Sequence, residues 1–280
     1  RFDSYRDELR SAVFLAKVPY HVERREALPG SDLYEHLLAI GPDALALFSL
    51  QGGSILRRDL RYGRIASISL VSVLLDGLLV VEDADGLGIE LHFNTVSAKL
   101  VRNIVDLVRA RCRDSKGRTE DSGRIPGPDL AADPGEDDVL YANLLAELRS
   151  REAPLSLLAY QGPCRLKALG AERRSLGRRL LDELRRYYLG SIMLLDAQSE
   201  LIIVRDSTEM RRRKFRGYRY EIAWLPFSSV KGARLEERTL PNEAVASVLH
   251  LSASSREYEF YFLAPPEPAV KRLAALAGRA

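Results

Sequence analysis

Sulfur is scarce in this chain of 280 residues, which holds two cysteines and two methionines. Cys112 and Cys164 are too few for a disulfide framework and too far apart for any metal-ligand spacing, so both read as free thiols of a reducing compartment. Histidine is nearly as rare. His21, His36, His92 and His250 show no metal spacing, and His92 and His250 sit in strand-like runs where an exposed position is expected. Long apolar runs are missing too: the longest, Ile68 to Val81, is interrupted by Asp76 and Gly77 and falls short of the roughly 18–20 residues a bilayer span needs.

Catalytic motifs are equally absent. There is no G-x-S-x-G, no P-loop and no G-x-G-x-x-G after a strand. Asp83-Ala84-Asp85-Gly86 opens like a calcium loop but lacks the remaining ligands and the closing Glu, and Gln51-Gly52-Gly53-Ser54 lacks the P-loop Lys, so both read as turns. The chain is therefore expected to be non-enzymatic, with no cofactor and no metal. Its first residue is Arg1 rather than Met, so it reads as a piece of a longer protein in which a signal or anchor could precede it.

What is present is the composition of a soluble globular protein, 46% hydrophobic and 29% charged, at a length that suits two domains. The charge is uneven. Residues 1–112 carry 14 basic and 15 acidic side chains, residues 113–138 carry 4 and 8, and residues 139–280 carry 24 and 16. The middle segment, rich in Gly, Pro and Asp, reads as a flexible linker between a first domain, 1–112, and a second, 139–280.

The two halves share an internal repeat. His36 to Phe48 aligns without gaps on Ile192 to Val204, each reading as strand, polar turn, strand, at an offset of 156. Ile65 to Val71 aligns on Phe227 to Ala233 at offset 162, and Glu90 to Val108 on Glu259 to Ala277 at offset 169. In the last block a two-residue strand period changes to a helical stripe, Val101, Ile104, Leu107 and Val108 against Val270, Leu273, Leu276 and Ala277. Each copy also has a helical lead-in with the same tetrapeptide, Glu8 to Ser11 and Glu147 to Ser150. Strands are expected next, near Val18 to Val22 and Leu155 to Tyr160. The second copy adds an amphipathic helix over about Ala171 to Tyr188, with six arginines off its apolar face.

Strand, tight turn, strand, an Ile-x-x-Ile/Val segment, a hairpin and a closing helix together resemble the pleckstrin-homology-like superfold, particularly its bacterial PH and GRAM branches. The resemblance covers most of residues 18–110 and 155–277. It departs from the family at the first turn, where Gly41-Pro42-Asp43 and Asp196-Ala197-Gln198 replace the usual Thr-Asp or Thr-Asn. The resemblance implies an α+β, mainly β fold: two PH-like, partly open β barrels, each capped by a C-terminal helix. It also implies a binding scaffold for lipid or protein.

The sharpest local feature is the run Arg211, Arg212, Arg213, Lys214, Phe215, Arg216, Gly217, Tyr218 and Arg219. Six basic residues interleaved with two aromatics suit phosphate groups at a headgroup interface, and they equally suit a solvated basic loop. The corresponding first-copy loop holds Arg57, Arg58, Arg61 and Arg64 with only Tyr62. Trp224 is expected to pack near the second core. The leading expectation is an adaptor, cytoplasmic or peripheral at a membrane, whose second domain contacts an acidic surface. The alternative is a protein-assembly module without lipid binding, and nucleic acid is not an expected partner.

Overall fold

The computed structural model describes residues 2–19, 34–115, 126–152, 154–166, 187–206, 210–211, 219–240, 245–254 and 256–277. The fold is mainly β, and all its strand pairing within the two units is antiparallel. The chain divides into two compact units, Arg1–Ser122 and Gly123–Ala280. No described helix is long and apolar enough to cross a membrane.

In unit 1 a short helix, α1 (Arg6–Ser11), leads into four strands, β1 (Phe14–Pro19), β2 (Tyr34–Ile40), β3 (Ala44–Gln51) and β4 (Ser54–Arg61), which pair in that order. Apolar residues of both parities make β2 and β3 buried on both faces. On one face Leu37, Ala39, Ala46 and Phe48 pack under Phe2, Tyr5 and Leu9, with the Tyr5 ring 4.9 Å from Phe48. A 3₁₀ turn, Tyr62–Arg64, then starts the second sheet, β5 (Ile65–Val73), β6 (Asp76–Asp83) and β7 (Gly88–Asn94). Gly77 is required by packing, since a Cβ there would lie 2.2 Å from the Phe93 ring. Helix α2 (Ala98–Ser115) closes the unit by burying Val101, Ile104, Val105, Val108 and Cys112. Leu107, expected in that stripe, is instead among the exposed apolar residues, because the true helical spacing brings Val105 to the inner face.

Unit 2 repeats this order. Helix α3 (Val139–Arg151) leads into β8 (Ser156–Gln161), and β8 pairs with β11 (Ile192–Ala197), β11 with β12 (Glu200–Arg205), and β12 with β14 (Arg219–Pro226). Between them lie three short strands, β9 (Cys164–Leu166), β10 (Tyr187–Leu189) and β13 (Met210–Arg211), paired in the order β13-β10-β9. A 3₁₀ turn, Phe227–Ser229, starts β15 (Val230–Thr239), which pairs with β16 (Val245–Ala253) and that with β17 (Arg256–Phe262). Helix α4 (Glu267–Ala277) ends the unit. One core joins both sheets and this helix, from Leu194, Ile203 and Leu225 to Leu249, Phe260 and Leu273. The fully buried Asp196 receives two hydrogen bonds from Arg272 of α4, at 3.1 and 3.0 Å, which compensate the cost of burying a carboxylate.

The linker expected over 113–138 divides between the units. Residues 113–115 finish α2, and residues 116–125 lie outside the described residues. Residues beyond Pro126 are hydrogen-bonded to unit 2: Ser156 donates to the Pro128 carbonyl, Leu157 N–H to Asp129, and Leu130 N–H to the Leu157 carbonyl. Arg149 holds Asp129 and Asp133. Among the described residues no sheet closes on itself as a barrel.

The repeat extends to individual hydrogen bonds. Leu38 faces Leu47 as Leu194 faces Ile203, and Ile40 faces Leu45 as Asp196 faces Leu201, all at offset 156. Tyr62 N–H donates to the Asp43 carbonyl as Phe227 N–H donates to Ser199. A bulge follows at once in both second sheets, between Ile65 and Ser67 and between Val230 and Gly232. The middle offset is thus 165, and the expected alignment at 162 is corrected: Tyr62, not Ile65, is the counterpart of Phe227. The strand part of the final block holds at 169, with Leu91 facing Leu79 as Phe260 faces Leu249, whereas the buried helix positions Val101, Val105 and Val108 match Ala269, Leu273 and Leu276 at 168. Tyr62 adds a hydroxyl that donates to the Gly41 and Ala44 carbonyls, both at 3.0 Å. Because unit 2 uses Phe227 at the same place, Tyr62→Phe should preserve the geometry and destabilise unit 1 by about 1–2 kcal/mol, read as a lower urea midpoint.

Candidate functional site

Of the predicted binding residues, Arg211 lies in β13, paired through its backbone with Tyr188, and Arg219 is exposed at the start of β14. Arg212, Arg213, Lys214, Arg216 and Tyr218 lie outside the described residues, as do residues 171–186 of the expected amphipathic helix. Tyr187 and Tyr188, expected at the end of that helix, instead pair with Leu166 and Arg165 as strand. The first-copy arginines are also not in a loop. Arg57, Arg58 and Arg61 stand on β4 and Arg64 ends the 3₁₀ turn. Arg57 is bound to Asp59 at 2.8 Å and lies over the Phe48 ring, while Arg64 pairs with Asp83 and Asp85.

Both turn expectations are met. Asp83 accepts the Asp85 and Leu87 N–H groups at 2.9 and 3.0 Å, folding the calcium-like sequence into a hairpin turn. Gly52 and Gly53 adopt positive φ between β3 and β4. Trp224 is buried, on the face of β14 opposite Ala223 and Leu225.

His250 overturns its expectation of exposure: it is 4% exposed, on β16 between Arg234 of β15 and Glu259 of β17. Apolar residues of both parities surround it in the strand, so both faces of β16 are covered. Its Nε2 lies 3.0 Å from Glu236 and its Nδ1 3.5 Å from Glu259, although neither nitrogen makes a well-aligned hydrogen bond. Arg238 joins the same two carboxylates and the Tyr261 hydroxyl, at 2.6, 3.0 and 2.8 Å. Its hydrogen bonds hold both glutamates below the ordinary carboxylate range, with His250 the second cause at Glu236. Burial raises Tyr261. Register alone assembles this network, from three strands whose polar residues meet on one face.

A second feature of unit 2 is an open groove of roughly 550 Å³ lined by Asp137, Asp138, Tyr160, Cys164, Phe262 and Leu263. Asp138 accepts the Ser191 and Tyr160 hydroxyls at 2.5 and 3.1 Å. Burial, then Asp138, pushes the Tyr160 phenol up, and burial pushes the Cys164 thiol up. The groove therefore keeps both groups protonated and offers hydrogen bonding beside an apolar wall. Both cysteines are free, and no cluster of metal-ligating side chains occurs among the described residues. His92 is exposed, as expected.

No family model matches this chain, and no curated protein matches it. The carboxylates beside Arg238 supply a test of the network. Because their folded values are depressed, their contribution is complete above the unfolded glutamate pKa of about 4.3 and is lost as pH falls through the lower folded values. Arg238→Gln should therefore reduce the loss of unit 2 stability between about pH 5 and about pH 3, measured by urea unfolding across that range.

Proposed function

We propose that the chain is a non-enzymatic pair of pleckstrin-homology-like binding modules whose second member contacts anionic lipid headgroups through Arg211–Arg219. The scaffold part rests on an order common to both units, four successively paired strands, 3₁₀ turn, three strands and helix, to which unit 2 adds three short strands, and which resembles that superfold. The observation that carries the lipid reading is the distribution of charge. The described arginines of unit 2 include several bound to internal carboxylates: Arg149, Arg205, Arg238 and Arg272. Residues 167–186 and 212–218 meanwhile carry eleven basic side chains against three acidic. An excess so concentrated favours an acidic surface over scattered solvation.

The connection itself supports this. Unit 1 joins β3 to β4 by a two-residue turn, with Gln51 facing Ser54, whereas unit 2 places Asp206–Tyr218 between the paired strands β12 and β14. The rival reading, a protein-assembly module, is favoured by one observation: Leu74 and Leu75 at the β5–β6 turn are 67% and 65% exposed, beside Val96. The test is co-sedimentation with phosphatidylcholine vesicles, with and without phosphatidylserine. Anionic vesicles should be preferred, and the triple change Arg211→Ala, Arg212→Ala, Arg213→Ala should weaken binding by about 3 kcal/mol, roughly a hundredfold. Equal binding to neutral vesicles, or no loss in the variant, removes the lipid reading.

A further inference from the structure

β4 differs from the other strands of its sheet. Only Leu60 of its eight residues is buried, and among the described residues it pairs with β3 alone. In an antiparallel pair, alternate residues turn their N–H and C=O groups toward the partner strand, so every second residue of an edge strand turns them outward. Proteins commonly blunt such an edge with proline, a bulge or charge. β1, at the other side of the same sheet, uses the first two: its register shifts between Val18 and Pro19. β4 has no proline, and its register with β3 runs unbroken from Ala44 facing Arg61 to Gln51 facing Ser54. Among the described residues, what guards it is charge alone.

That charge is partly uncommitted. Arg57 is spent on Asp59, whereas Arg58 and Arg61 are exposed and have no ionic partner among the described residues. Being three apart, they stand on opposite faces of the strand. Leu56, on the Arg58 face, is 41% exposed. Two β4 edges meeting in antiparallel fashion about Arg57 or Arg58 would set that arginine against its own copy, and Asp59, the strand's one acid, is already held by Arg57, which disfavours a second copy. A flat anionic surface would reach only one of the two faces. An extended chain reaches both and also satisfies the outward backbone groups.

We propose that the free edge of β4 docks an extended acidic segment of a partner protein. The segment adds as an antiparallel strand, with acidic side chains opposite Arg58 and Arg61 and an apolar one opposite Leu56. Antiparallel pairing fixes its pattern as acidic, three residues later acidic, two residues later apolar. This uses unit 1 and none of residues 211–219, so it stands or falls separately from the lipid reading.

The test titrates fluorescein-labelled peptide TETTETVT into the full chain at low salt, followed by anisotropy, with amide hydrogen exchange on the same samples. Binding should slow exchange at alternate amides of β4. It should weaken at least about tenfold in the double variant Arg58→Glu, Arg61→Glu, and for TETETTVT, whose second acid is moved to the other face, opposite Asp59. High salt and the basic peptide TKTTKTVT should abolish it. Should the double variant lose its circular dichroism signal, Arg61→Gln with the salt series takes its place. No binding, equal binding of the shifted peptide, or binding without protection in β4 overturns the proposal. Binding of anionic vesicles that is lost in the same arginine variant, with no peptide binding, would also overturn it in favour of a lipid edge.

Discussion

The architecture of each unit depends on one corner, where the chain leaves its fourth strand and enters the second sheet. The first residue of the 3₁₀ turn donates its N–H to the tip of the hairpin between the second and third strands, Tyr62 to Asp43 and Phe227 to Ser199. The same aromatic side chain is almost wholly buried in both copies. The turn's last carbonyl then accepts an N–H from the far hairpin, from Ala84 at Arg64 and from Ser254 at Ser229. Two backbone bonds and one buried ring thus fix where the second sheet begins relative to the first, and with it the bulge one residue later. Strands on either side can vary in length because this junction does not.

That corner also explains which parts of the repeat were legible. A two-residue strand period reports register directly, since a slip of one residue exchanges every side chain between faces. The block at offset 156 and the first part of the block at 169 consist of such strands, and their cross-strand pairs are kept, Leu38 with Leu47 as Leu194 with Ile203 and Leu79 with Leu91 as Leu249 with Phe260. The middle block was read by apolar spacing across a segment that is part 3₁₀ turn and part strand, where neither period holds. A better signal stood three residues upstream of each strand: an aromatic, Tyr62 or Phe227, preceding Ile65 or Val230. Its meaning is turn burial rather than strand pairing, so pattern matching by strand passed over it.

Burial of charge was harder to read than burial of apolar groups, for a physical reason. His250 sits in a strand whose neighbours are apolar at both parities, which signals two covered faces. Its ionic partners, however, come from strands β15 and β17, and only the register brings Glu236 and Glu259 to it. Arg57, Arg58 and Arg61 show the converse. Their charge suggested a loop, but they stand on a strand whose Ile55 packs against the cluster of Leu37 and Phe48 and whose Leu60 is buried on the other face.

The two copies share their strand order and differ in where arginine ties it: in unit 1 Arg57 holds Asp59 and Arg64 holds Asp83 and Asp85. In unit 2 the arginines of the described framework act as internal ties: Arg272 offsets the buried Asp196 on a strand where unit 1 has Ile40, and Arg238 gathers two glutamates and a tyrosine. At the position of Asp196 unit 1 has the buried, apolar Ile40. A duplicated scaffold is free to diverge wherever a side chain does not serve the corner. The tight hairpin turn between β3 and β4 is one such place, and its counterpart in unit 2 carries the Arg211–Arg219 run. The same freedom leaves β4 as an edge that, among the described residues, is guarded only by charge. Charge that deters a like-charged edge is also what selects an oppositely charged one, so protection and recognition at such a strand are a single electrostatic property.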